Sequence, residues 1–145
     1  MKKLGYFSIE GDTIIRSSKN SVANEFILDN ASTSHIIRDL SSFFWYKKTS
    51  SSVHWGNASK LNILGIGHCL IQFKDTKKRG LLKNALHVLD LGVNLISQSK
   101  MVNNFTIRLP NIALIVNLQT CKILTRATIR NGLYYLPIRI LKPEP

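Results

Sequence analysis

Leu61-Asn62-Ile63-Leu64-Gly65-Ile66-Gly67-His68-Cys69-Leu70-Ile71-Gln72-Phe73 is the most regular stretch of the chain. Leu61, Ile63, Gly65, Gly67, Cys69, Ile71 and Phe73 share one parity, while Leu64, Ile66 and Leu70 share the other. A period of two marks an extended strand. Apolar residues on both parities predict a long strand with both faces partly buried. Two glycines inside such a run predict a bend or a bulge.

Working outward, Asp75 to Gly80 reads as a charged turn, Leu86, Val88 and Leu91 as a short strand, and Val93 to Ile96 as another. Ser97 to Asn103 is the best helix candidate, with Ser97 as its cap and Asn103-Asn104 at its end. Alternation returns at Phe105, Ile107 and Leu109, then over Ile112–Leu118, Ile123–Ile129 and Leu133–Ile140, with Asn131-Gly132 a strong turn signal between the last two. Upstream, Phe26-Ile27-Leu28 is a short apolar run that ends at Asp29, which suits a buried strand entering a tight loop. Leu40 to Tyr46 fits either a strand or a short helical turn, and Lys47 to Ser52 reads as a polar loop. Residues 1–24 are polar and read as a disordered leader, the ordered domain is expected over 25–136, and 137–145 reads as a C-terminal spacer. Many short strands at close spacing predict an all-β fold, a small barrel or sandwich of short strands with one short helix.

The composition agrees with one soluble domain. The chain has 145 residues, of which 44% are hydrophobic and 19% charged. A chain of that length buries about 70% of its unfolded surface, enough for a core without disulfides or metals. Apolar runs such as Ile112 to Val116 fall far short of the roughly 20 residues that cross a bilayer. The basic start lacks the apolar segment of a secretory signal, so the expected location is intracellular, in the cytoplasm, with no membrane partner. Cys69 and Cys121, 52 positions apart, read as reduced residues rather than a disulfide framework. Twenty Lys and Arg against eight Asp and Glu give a formal charge of +12. The basic residues form only small clusters, at Lys47-Lys48 and Lys77-Lys78-Arg79, so a solvated basic surface weighs more than a phosphate-tracking stripe.

The familiar chemistries find little support. His35, His54, His68 and His87 show no metal-ligand spacing with the cysteines or carboxylates. Gly65-Ile66-Gly67 lies in a strand pattern with no Gly-Lys-Ser/Thr after it, which argues against a phosphate loop. No Gly-x-Ser-x-Gly elbow is present. No metal and no cofactor are expected. Asp29 stands out, because an apolar strand delivers it into Asn30-Ala31-Ser32-Thr33, where backbone N–H groups can hold a carboxylate. The plainer reading is an Asx turn or a structural hydrogen bond.

The surrounding residues change that weighting. Phe26-Ile27-Leu28-Asp29-Asn30-Ala31-Ser32-Thr33-Ser34-His35 resembles the protease signature of copia-type retrotransposon polyproteins, usually Trp-Ile-Leu-Asp-Ser-Gly-Ala-Ser-Ser-His. Gly56-Asn57-Ala58-Ser59-Lys60-Leu61 and Ile63-Leu64-Gly65-Ile66-Gly67 are similar to that family's Gly-Asn-Gly-Ser-x-Leu and Leu-Gly-x-Gly blocks. Leu82-Lys83-Asn84-Ala85-Leu86-His87-Val88-Leu89-Asp90-Leu91, Val93 to Lys100, and Asn131 to Leu136 continue the resemblance in order. Near the start, Lys2 to Gly11 fits the second half of a Gag zinc knuckle, with Tyr6 at the His position and Gly11 at the last Cys, so zinc binding is not expected there. The chain stops before the family's integrase zinc module, and the resemblance reads it as a piece of a polyprotein.

The resemblance implies a retropepsin-like β-barrel, an aspartic endopeptidase acting on polyprotein or peptide substrates. It further implies a homodimeric site in which each subunit supplies one Asp, here Asp29. Gly56 to Leu61 would lie near the flap, and Leu95-Ile96-Ser97 would pack beneath the catalytic loop, with Ser in place of the family's Gly. Asn30 removes the Ser or Thr hydroxyl that follows the family's Asp, and Ala31 adds a methyl group where the family has Gly. Ala58 and Leu89 depart similarly from a Gly and a Pro. These changes predict impaired catalysis on a retained fold. The competing readings are a non-catalytic module that pairs with element proteins and a basic nucleic-acid-associated domain. Whether the strands after Phe105 belong to the barrel or to the following pre-integrase region is left open.

Overall fold

The computed structural model of the protein describes residues 24–55 and 59–142. The expected leader up to residue 23 with its knuckle-like residues, residues 56–58 of the expected flap segment, and the last three residues of the expected spacer lie outside the described residues. Among the described residues there are eleven strands: β1 (Phe26–Asp29), β2 (Ile36–Ile37), β3 (Trp45–Trp55), β4 (Ser59–Phe73), β5 (Arg79–His87), β6 (Asn94–Ser97), β7 (Asn104–Arg108), β8 (Ile112–Asn117), β9 (Ile123–Arg130), β10 (Leu133–Leu136) and β11 (Ile138–Leu141). They form one mixed sheet in the order β11-β4-β5-β2-β6-β1-β10-β9-β8-β7, with β3 also paired to β4. The fold is all-β. Among the described residues there is no α-helix, and no helix long and apolar enough to cross a membrane.

Two cores explain the two kinds of apolar pattern. Ile27, Ile36 and Leu95 enter one core, and Phe26, Leu28, Ile37 and Ile96 enter the other. The central strands β2, β6 and β1 are thus covered on both faces, so β1 reads as an unbroken apolar run. Along β4 the odd residues face inward throughout. Leu61 and Ile63 join the first core, and Cys69, Ile71 and Phe73 the second. The two glycines sit between these segments at close approaches. A Cβ on Gly65 would lie 2.2 Å from the Tyr46 ring, and one on Gly67 would lie 2.2 Å from the Trp45 carbonyl oxygen. The register between β4 and β5 shifts between Gly67 and Cys69, but the extra residue lies on β5 between Leu82 and Ala85, so the bulge sits opposite the glycine-containing segment rather than in it. Asn131 and Gly132 both have positive φ, 51° and 79°, as a two-residue hairpin turn of that sequence requires.

Several boundaries differ from expectation. Ser97 to Asn103 is not a helix. Ser97 ends β6 with extended backbone and no capping bond, and only Gln98–Lys100 form a single 3-10 turn. Leu40–Ser42 form a second such turn, so of the two alternatives for Leu40 to Tyr46 the start is helical and the end is strand. Lys47 to Ser52 is not a loop but part of β3. Its side chains are mostly solvent-facing, so pairing with β4 leaves no hydrophobic trace in the sequence. Residues 79–87 pair with β4 as β5, although Lys83 and the left-handed Asn84 (φ 53°) break their alternation. Leu133 to Ile140 divides at Pro137, where the chain leaves β1 and β9 for β4. The expected spacer therefore carries β11. Beyond Phe105, Ala113, Ile115, Ala127, Leu136 and Ile138 share a core with Phe26 and Leu28, in one sheet with β1.

Candidate functional site

Strand β1 delivers Asp29 beside Ser97, because β1 and β6 run parallel in the register Phe26↔Asn94 through Asp29↔Ser97. The Asp29 side chain is 3% exposed. Its Oδ1 accepts the Ala31 N–H at 2.9 Å, the Asx turn anticipated from residue type. Its Oδ2 is buried and has no hydrogen-bond partner among the described residues. Burial pushes the carboxyl above the ordinary carboxylate value, and backbone N–H groups of Ala31 and Ser32 partly counter that rise. Asn30 and Ala31, which stand where the resembled signature has Ser and Gly after its Asp, are both exposed.

The loop beyond Asp29 is fastened to the end of β6 by groups far apart in sequence. The buried Ser97 hydroxyl donates to the Ser32 carbonyl at 2.6 Å, and Ser99 Oγ donates to the same oxygen at 3.3 Å. Within the loop, Ser32 Oγ donates to the Ser34 carbonyl at 2.6 Å. The Ser97 N–H donates to His35 Nδ1 at 2.9 Å, which fixes the neutral tautomer with its proton on Nε2. Burial, with a smaller contribution from the Lys100 charge, lowers His35 to about 4. A serine, a histidine and an aspartate lie on this loop and the strand beside it, but they do not form a nucleophilic triad: His35 Nδ1 accepts a backbone N–H, the Ser97 hydroxyl donates to a carbonyl, and Asp29 bonds to the Ala31 N–H.

The remaining candidates lie elsewhere. His87 Nδ1 lies 2.7 Å from the Tyr46 hydroxyl, which ties β3 to the end of β5, and His68 lies under Trp45. Cys69 is buried and its thiol is pushed up to about 12, while Cys121 is exposed; both are free. Among the described residues no three His, Cys, Asp or Glu side chains are grouped to hold a metal ion. Sequence reasoning singled out Asp29, and through the resemblance placed Ser97 beneath its loop. It did not find His35 and Ser99 as anchors, because their partners lie 62 and 67 residues away.

Residues 26–105 match the family model described as "Pol polyprotein, beta-barrel domain". No curated protein and no solved structure gives a significant match. The matched segment covers the Asp29 loop, His35 and the end of β6, which carry the site described above, together with the paired strands β3 and β4. With more than half its length matched, the chain belongs to the β-barrel domain family of Pol polyproteins, a retrotransposon-associated domain.

Proposed function

We propose that this domain is a retropepsin-like unit of a retrotransposon Pol polyprotein in which Asp29 stands at the position of the catalytic carboxyl and proteolysis is impaired. The observation that carries the reading is the state of Asp29. It is a buried carboxyl at a strand end, raised above the ordinary carboxylate value by burial, with one oxygen on a backbone N–H and the other without a partner among the described residues. In an aspartic endopeptidase two such carboxyls share one proton, and the ionised one activates water against a peptide carbonyl. A single chain supplies only half of that pair, so activity would require a homodimer. Asn30 offers an amide in place of the hydroxyl that would brace the pair between subunits. The Ala31 methyl group thickens the loop where substrate backbone would approach. The Ser32, Ser97, Ser99 and His35 hydrogen bonds preserve the loop's shape without depending on turnover. The domain then serves the polyprotein as a folded β module that pairs with other element proteins.

The test is a peptide-cleavage assay on the full chain with apolar residues at the scissile bond, from about pH 3 to pH 8. Asp29→Ala serves as the control, and mass in solution is recorded alongside. No Asp29-dependent cleavage is expected from the native chain, whereas the double variant Asn30→Ser, Ala31→Gly gains it when dimeric. Cleavage by the native chain that Asp29→Ala abolishes overturns the loss of activity. A dimeric double variant that stays inert overturns the placement of Asp29.

A further inference from the structure

The outward face of β3, β4, β5 and β11 gathers charge that is scattered along the chain. These four strands contain six basic residues and no acidic one. Directly paired residues on neighbouring strands share a face, so the strand registers build this surface row by row. Arg139 on β11 and Arg79 on β5 flank Gln72 of β4. Two residues along, Leu81 pairs Leu70. Two further along, Trp45 of β3 pairs His68; at the next row Lys47 pairs Ile66, which with its other partner Leu86 packs on the first core, so the open face ends there with Lys47 exposed at its rim. Lys83 follows Leu81 on the same face of β5, beside the Asn84 N–H that binds His68 Nδ1 at 3.2 Å. At about 3.3 Å per residue, the arginine row lies about 13 Å from the aromatic row.

The aromatic row is built for contact. Trp45 stacks on His68 with ring centroids 4.7 Å apart and planes 19° from parallel, while Trp45 is 47% exposed. Phe44, 46% exposed, tilts against the same imidazole at 6.1 Å. The bond from Asn84 fixes the imidazole, so the stack is held before any ligand arrives. Lys47, Arg79, Lys83 and Arg139 are all exposed, and among the described residues none forms a salt bridge with a carboxylate.

We infer that this face is a binding surface for single-stranded nucleic acid, with Trp45 as a platform for a base and Lys47, Lys83, Arg79 and Arg139 as phosphate contacts on either side. A preformed ring with an open π-face accepts any unpaired base, and flanking cations track the backbone. An acidic peptide would satisfy the cations but gain little from the aromatic platform. Neither Asp29 nor a homodimer enters the argument, so this inference stands or falls apart from the proteolytic reading.

The test is fluorescence anisotropy of the full chain with a labelled oligodeoxythymidylate of about 12 nucleotides, a length suited to a surface of this kind. Four phosphate contacts predict a slope of log affinity against log salt of about −3, at about 0.7 per contact. Trp45→Ala is expected to weaken binding about tenfold, and Trp45→Phe to retain more of it. The double variant Arg79→Gln, Lys83→Gln is expected to reduce the slope by about 1.4. Lys100→Gln with Lys122→Gln, two exposed cations off this face, is expected to leave affinity and slope near native values. Absence of binding at low salt, native affinity in Trp45→Ala, equal losses in the two double variants, or equal displacement by polyglutamate of matched charge would each overturn the assignment.

Discussion

Replacing Ser97 by alanine tests whether β6 holds the Asp29 loop in place. The Ser97 side chain is fully buried, and its hydroxyl donates to the Ser32 carbonyl at 2.6 Å and lies 2.9 Å from Ser99 Oγ. Alanine preserves the strand and removes one oxygen, so the change isolates the hydroxyl. A net intramolecular hydrogen bond contributes about 1 kcal/mol, and a buried acceptor left without its donor costs about 1–3 kcal/mol. The Ser32 carbonyl keeps the longer bond from Ser99 Oγ at 3.3 Å, which offsets part of the loss. The expected destabilisation is therefore about 1.5 kcal/mol. At a urea dependence of about 2 kcal/mol per molar, the unfolding midpoint falls by roughly 0.7 M. Circular dichroism in urea measures that shift, and amide hydrogen exchange locates it. Exchange should quicken over residues 30–35 and remain slow in β4 and β5. A midpoint shift under about 0.2 M, or faster exchange spread evenly over the sheet, refutes the anchoring.

His35 is lowered from 6.5 to about 4, chiefly by burial, so the unfolded chain takes up its proton before the folded one does. The stability it contributes is complete above 6.5 and is lost as pH falls toward 4, on the order of 3 kcal/mol in all. Asp29 has the opposite sign, since its raised carboxyl contributes stability that is full below 3.8 and is lost as pH rises through the folded value. Replacing His35 by Gln should remove its fall in urea midpoint on acidification and leave the opposite Asp29 trend; parallel profiles of the native protein and His35→Gln would contradict the account. Gly67→Ala sets a Cβ 2.2 Å from a backbone oxygen and should cost about 2–3 kcal/mol. Gly80→Ala meets only Ile71 side-chain atoms at 3.5 Å and beyond, and should fall within about 0.5 kcal/mol of native in the same urea assay. Equal effects of the two alanines would contradict the described packing.

The sequence by itself determined whatever rests on a residue's own neighbours. The parity of Leu61 to Phe73 identifies β4, the unbroken Phe26-Ile27-Leu28 identifies a strand covered on both faces, and Asn131-Gly132 identifies a hairpin. The aspartate in a loop of small residues predicted the bond from Ala31 to Asp29 Oδ1, because that contact spans only two residues. The tertiary structure decided the rest. Polar β3 is a strand because β4 supplies its hydrogen bonds, and no local pattern records a partner's backbone. Ser97 looked like a helix cap by residue type, but pairing with Asp29 holds its backbone extended and gives its hydroxyl to a carbonyl 65 residues away. The basic residues looked evenly scattered for the same reason. Arg79 and Arg139 are 60 positions apart in the chain, and they flank one glutamine only because β5 and β11 both pair with β4.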